Sequence, residues 1–267
     1  MKTRAITGFF FIVILISAVL LGPYTFVSFF SLIATCCVYE FYRMVRTESI
    51  QPLLLLGVGV AALGLVLVSF ALLAILPYSV LPVSIVAVLF LYIAALFRTT
   101  QHPIQDVAYS LFGLLYAAIP FIFFMGLGFV GDTYNAYIPL GFLILLWTND
   151  TGAYLAGRSM GRHKLFERIS PNKTWEGFVG GVVMAVVAGF ILSQYFGIFP
   201  VWSWMCMAVI IGIFGTFGDL VESMLKRNVG VKDSGNILPG HGGLLDRFDG
   251  LLIAAPLVYL FLTLIDK

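Results

Sequence analysis

Between Ser223 and Asp249 the chain reads SMLKRNVGVKDSGNILPGHGGLLDRFD. It sets four basic residues (Lys226, Arg227, Lys232, Arg247), three acidic ones (Asp233, Asp246, Asp249), His241 and five glycines side by side. Interleaved cations and carboxylates on glycine-rich backbone suit a site that holds phosphate groups together with a divalent cation. Just upstream, Asp219, Glu222, Ser223 and Lys226 recur at i, i+3, i+4 and i+7, so a helix would present them on one face. Carboxylates gathered without matching cations repel one another. Asp219 and Asp246 are the best pair for a shared Mg²⁺, an ion that takes hard oxygen ligands and divides its shell with substrate phosphates. Lys226, Arg227, Lys232 and Arg247 can neutralise a triphosphate, Arg gripping two oxygens at once and Lys acting as a point charge. Gly240, Gly242 and Gly243 around His241 let backbone N–H groups turn inward. Phosphoryl and nucleotidyl transfer needs positioning and charge stabilisation more than covalent help, and this inventory supplies both.

Singly, each residue has a plainer reading: Lys226 and Arg227 as flanks of a membrane helix, His241 as a hydrogen-bond donor in a turn, the glycines as loop breakers. The combination argues otherwise, because a mere connection needs no Asp219, Asp246 and Asp249 beside four cations.

Two other polar features stand out. Asn149 and Asp150 fall inside an apolar run, LLWTNDTGAYLAGRSMGR, where an ionisable residue must face a partner or a wet cavity. Further on, Ser170 to Gly177 reads SPNKTWEG. Ser170 is expected as an N-cap and Pro171 as the first helical residue, with Asn172, Lys173 and Thr174 in the opening turn. Lys173 at a helix start would make an anion seat, while the plainer reading has Lys173 snorkelling and Glu176 capping. Glu40, by its spacing, is expected to form a local ion pair with Arg43.

These residues must be positioned by membrane helices. The chain has 267 residues, 61% hydrophobic and 10% charged, and a mean hydropathy of +1.04. The charged share is far below the roughly 25% of soluble domains. The expected fold is an all-α integral membrane protein with about nine transmembrane helices, over residues 5–21, 25–42, 53–76, 79–97, 107–129, 137–157, 176–197, 201–221 and 249–265. The first run lacks a convincing cleavage site after Gly22-Pro23 and is read as a retained helix. With a cytoplasmic N-terminus, fourteen of the fifteen basic residues fall on cytoplasmic segments and only Lys267 does not, which places the C-terminus outside. Residues 1–105 read as a scaffold of about four helices, and 106–267 as a catalytic region of about five. The net charge of +2, without a basic tail, gives no sign of nucleic acid. Cys36, Cys37 and Cys206 have no metal or disulfide spacing and read as small apolar residues.

The segment from Ser223 to Asp249 resembles the signature of the phosphatidate cytidylyltransferases, or CDP-diacylglycerol synthases. The elements are Ser223, Lys226-Arg227, Lys232-Asp233, Pro239-Gly240-His241-Gly242-Gly243 and Asp246-Arg247-Phe248-Asp249. Asp150 and the block from Ser170 to Gly177 resemble the family too, although the family often has Lys where this chain has Asn172. The resemblance implies transfer of CMP from CTP to phosphatidic acid, giving CDP-diacylglycerol and pyrophosphate. It implies Mg²⁺ on Asp219 and Asp246, a second cation such as K⁺, and catalytic roles for Lys226, Asp249 and Asp150. Lys173, Lys226, Arg227, Lys232, His241, Arg247 and Ser223 would bind substrate phosphate. It further implies a homodimer in the bacterial cytoplasmic membrane, embedded in lipid, with its cavity open to the cytoplasm.

Residue chemistry alone reaches only a metal-dependent phosphate site in a membrane. A lipid kinase using CTP, or a cytidylyl transferase acting on another lipid, would use similar parts. A transporter would require acidic or polar residues continuing to the far side, and the sixth, eighth and ninth runs carry almost none there. The Asp-Gly-x-x-Ala-Arg pattern of enzymes that consume CDP-diacylglycerol is absent.

Overall fold

The structure is a computed structural model that describes residues 2–131, 133–237 and 242–265, with side chains from residue 7 onward. Expectations for His241, Gly240 and Lys267, and for the side chains of Lys2 and Arg4, lie outside the described residues. The helices are α1 (Lys2–Leu20), α2 (Pro23–Val45), α3 (Leu54–Leu72), α4 (Pro82–Leu96), α5 (Pro103–Leu127), α6 (Tyr137–Met160), α7 (Trp175–Phe196), α8 (Val201–Asn228) and α9 (Asp249–Ile265). Proline opens α2, α4 and α5, where its fixed φ suits the first turn and its missing N–H costs nothing. Gly22, at φ +119°, makes the break between α1 and α2 in a conformation that a Cβ would strain.

Among the described residues, six helical stretches are long and apolar enough to cross a membrane: Pro23–Val45, Leu54–Leu72, Tyr78–Leu96, Pro103–Leu127, Trp175–Phe196 and Val201–Asn228. Thr7–Leu20 and Asp249–Ile265 are shorter apolar helices. The helical membrane architecture expected from composition therefore holds at that level. One expectation fails locally. Ser170–Thr174 is a β-strand, β2, paired antiparallel with β1 (Lys164–Phe166) in the register Lys164↔Thr174 and Phe166↔Ser170. Ser170 caps nothing, and Lys173 lies outside any opening helical turn. Helix α7 starts at Trp175, capped by Thr174, whose Oγ1 accepts from Gly177 N at 3.1 Å. Pairing with β1 gives the 170–174 backbone a partner that the serine-proline signal did not anticipate.

The chain divides into two compact units. The first comprises Met1–Gly126 and Asp233–Arg247, the second Leu127–Lys232 and Phe248–Lys267. In the first, α2 is the centre, with the rings of Phe26 and Phe30 packed at a tilt against Phe124 of α5. A Cβ on Gly57 or Gly113 would run into the Tyr42 ring, whose hydroxyl donates to Ser110 O at 2.7 Å. Helix α5 contains a π-helical turn over Leu114–Ala118. Buried Asp106 accepts from Gln51 N at 2.6 Å and Thr100 Oγ1 at 2.7 Å, with Arg98 at 3.6 Å, and so ties the loops that precede α3 and α5.

In the second unit α6, α7, α8 and α9 pack closely through small residues. Gly157 of α6 faces Gly177 of α7, and a Cβ on Gly181 would meet Asn149 at 2.8 Å. A Cβ on Gly218 of α8 would strike the carbonyl oxygen of Asp249 at the start of α9. Between helices in lipid there is little hydrophobic force, and such close backbone approach supplies the contact instead.

Candidate active site

The second unit contains an open-sided cavity of about 650 Å³ between α6, the β1–β2 hairpin, α7 and α8. The volume lies within the range that takes small-molecule and cofactor ligands. Its polar wall includes Asp150, Tyr154 and Arg158 of α6, Asn172 and Lys173 of β2, and Asp219 of α8. Helix α6 runs unbroken through Asn149 and Asp150, and the spacing of four carries Asp150, Tyr154 and Arg158 down one face. Arg158 Nη1 donates to the Tyr154 hydroxyl at 3.0 Å.

Lys173 Nζ lies 2.5 Å from Asp219 Oδ2. The hairpin, which delivers Lys173, is fastened to α7 by Glu176. That carboxylate accepts from Arg162 N at 3.0 Å and His163 N at 3.2 Å, and meets His163 Nδ1 at 2.6 Å. Asp219 also accepts from Ser223 Oγ at 3.2 Å, and one turn on Lys226 Nζ reaches the fully buried Glu222 at 3.5 Å. The helical face expected from the i, i+3, i+4, i+7 spacing is thus present, with Glu222 paired to Lys226 along the helix and Asp219 paired to Lys173 of the hairpin. Asp150 and Asp249 are both within electrostatic reach of Asp219, and Lys173 acts on Asp150 as well. Asp249 begins α9, and its Oδ1 accepts from Gly250 N at 2.6 Å. Arg227 and Lys232 are exposed at and beyond the end of α8.

In the first unit, Asp246 lies in a 3₁₀ turn, Leu245–Arg247, and closes a small backbone ring. Its Oδ2 accepts from Ser234 N and from Gly243 N, each at 3.0 Å, with Gly242 at φ +83° making the turn. Arg247 is exposed. Glu40 departs from expectation. It makes no ion pair with Arg43, which approaches the Tyr39 hydroxyl at 3.5 Å. Glu40 is 2% exposed, and its Oε2 accepts from Leu245 N at 2.8 Å. Burial turned it inward toward backbone donors supplied by residues far along the chain.

Mg²⁺ needs oxygen donors, and the carboxylates at hand, Asp219 with Asp150 and Asp249 in one unit and Asp246 in the other, are of that kind. Among the described residues no three His, Cys, Asp or Glu side chains converge on a preformed metal position. Tyr154, Arg158 and Asn172 are among the cavity residues not expected from the sequence as site residues. The four-residue spacing from Asp150 carried the signal for the first two, and Arg158 was counted only toward membrane orientation.

Comparison with known proteins agrees with this chemistry. The sequence profile of the cytidylyltransferase family matches residues 2–265. A phosphatidate cytidylyltransferase of Staphylococcus aureus strain COL is 35% identical over 274 residues, covering 98% of this chain and 99% of that relative. Those of Staphylococcus haemolyticus strain JCSC1435 and Staphylococcus epidermidis strain ATCC 12228 are each 43% identical over 159 residues. These two alignments cover 59% of this chain and 60% of the relative's length.

Proposed function

We propose that this chain, which belongs to the cytidylyltransferase family, transfers CMP from CTP to phosphatidic acid in a bacterial membrane. A phosphate oxygen of phosphatidate attacks the α-phosphorus of CTP, the bond from that phosphorus to the β-phosphate bridging oxygen breaks, and pyrophosphate leaves with CDP-diacylglycerol as product. The observation that carries the reading is the cavity in which Asp150, Asp219, Lys173 and Arg158 converge within a helical membrane protein. Carboxylates and cations in one chamber suit a metal–triphosphate complex, and apolar helices around it suit a lipid.

Bound Mg²⁺ would supply charge neutralisation at the reacting phosphates. Asp219 and Asp246 would hold it, with Asp150 and Asp249 shaping the negative field around it. Lys173 neutralises Asp219 in the absence of substrate and turns to the phosphates when they arrive. Arg158 joins Ser223, Lys226, Arg227, Lys232, His241 and Arg247 as phosphate contacts, its planar fork suited to two oxygens at once. The proposal includes a second cation such as K⁺, a homodimer, nine membrane crossings, a cytoplasmic N-terminus, an outer C-terminus and a site facing the cytoplasm. The distribution of Lys and Arg along the chain supports that orientation.

The experiment supplies purified protein with phosphatidate and CTP labelled separately at the α- and γ-phosphates. Label from the α-phosphate entering lipid supports the reading. Transfer of the γ-label would refute it and indicate a CTP-dependent lipid kinase.

A further inference from the structure

Glu40 lies on α2, deep in the sequence half that reads as scaffold. A carboxylate buried in a helix of this apolarity is costly and is retained only against strong partners. Those partners come from about two hundred residues further on. Glu40 Oε2 accepts from Leu245 N at 2.8 Å and meets Ser234 Oγ at 3.5 Å. Packing there is tight, since a Cβ on Gly235 would collide with the Glu40 carboxyl group. Ser234 and Leu245 are also the residues that frame Asp246. Ser234 offers its hydroxyl to Glu40 and its N–H to Asp246 Oδ2, while Leu245 precedes Asp246 directly. One buried acceptor therefore fixes both sides of the turn that presents the Asp246 carboxylate.

We propose that Glu40 is a positioning residue for cytidylyl transfer: by accepting from Leu245 and Ser234 it holds residues 233–237 and 242–247 in the conformation that aims Asp246. The inference rests on the reading of Asp246 as a metal ligand. Glu40 touches no reacting atom, and its role is that of an acceptor. Partners that orient a metal-binding carboxylate matter nearly as much as the carboxylate itself.

The test compares wild type, Glu40→Ala, Glu40→Gln and Asp246→Asn as full-length protein in detergent, each normalised to folded monodisperse material. Hydrogen exchange is followed at the amides of Ser234, Gly243 and Leu245. CTP-dependent turnover is followed against Mg²⁺ concentration. Glu40→Ala is expected to speed exchange at those amides by about tenfold or more. It should also lower kcat per folded molecule roughly 10- to 100-fold and raise the Mg²⁺ needed for half-maximal rate. Glu40→Gln keeps an oxygen acceptor and should stay within about threefold of wild type. A purely structural role would reduce the yield of folded protein without altering kcat or the Mg²⁺ profile, and that result overturns the proposal. Unchanged exchange in Glu40→Ala, or a Gln variant as impaired as Ala, overturns it too. Normal turnover by Asp246→Asn would refute the reading of Asp246 and the inference with it. An inactive Asp246→Asn beside a normal Glu40→Ala refutes the inference alone.

Discussion

Replacing Lys173 by alanine separates stability from chemistry at one atom. The ammonium lies against Asp219, with the two side chains 24% and 39% exposed. At that exposure the pair adds no more than about 1 kcal/mol to folding. Lys173→Ala should therefore shift the melting temperature by only a few degrees. Its effect on substrate is larger. A unit charge about 4 Å from a phosphate oxygen, at an effective dielectric near 20, is worth about 4 kcal/mol. Part of this is already spent on Asp219 in the free protein, so half is a fair allowance. Roughly 2 kcal/mol corresponds to one to two decades of rate. Removing the ammonium also leaves Asp219 unopposed and repelling the triphosphate. The expected result is a fall in kcat/KM for CTP of about 30- to 300-fold, with Lys173→Arg recovering part of it through retained charge. Initial rates of CDP-diacylglycerol formation against CTP, on protein matched for thermal midpoint, provide the measurement. A Lys173→Ala enzyme within about threefold of wild type in kcat/KM would refute the role, because threefold is less than 1 kcal/mol.

Asp246→Asn should abolish turnover while leaving the protein folded, since the amide keeps the shape of the turn but loses the ligand charge; activity across an Mg²⁺ titration checks this. Gly218→Ala should destabilise by about 1–3 kcal/mol, because its methyl group has no room beside the Asp249 carbonyl. A thermal midpoint equal to wild type would refute that steric argument. Lys226→Ala should raise the apparent requirement for CTP or phosphatidate and leave Glu222 buried without its cation. An unchanged kinetic profile would return Lys226 to the role of an orientation signal.

The helices were readable because hydrophobic runs long enough to cross a bilayer dominate the sequence. The polar face of α8 was readable because its pairs, Asp219 with Ser223 and Glu222 with Lys226, lie within one helix turn of each other. What stayed hidden depended on distance along the chain. Ser170-Pro171 carries a genuine helix-start signal, but the competing partner, strand β1, gives no local sign of itself in a three-residue segment. Glu40 has Arg43 at a plausible spacing, whereas its true partners, Ser234 and Leu245, are 194 and 205 residues away. Tyr154 and Arg158 could have been found by following the α6 face down from Asp150. Arg158 also fits the positive-inside pattern of the chain, which masks its place on that face.

The hairpin also makes the charge on Asp219 a matter of position along β2. Asn172, Lys173 and Thr174 all line the cavity, and of these three only Lys173 carries a charge. One position of β2 therefore delivers the ammonium that meets Asp219. A one-residue deletion or insertion in the turn between Phe166 and Ser170 could leave every helix in place and the hairpin still paired. It would nevertheless set an uncharged side chain against Asp219. Length in that turn is thus a chemical variable, and a different count there requires the cation to move by one position along the strand or to come from another element.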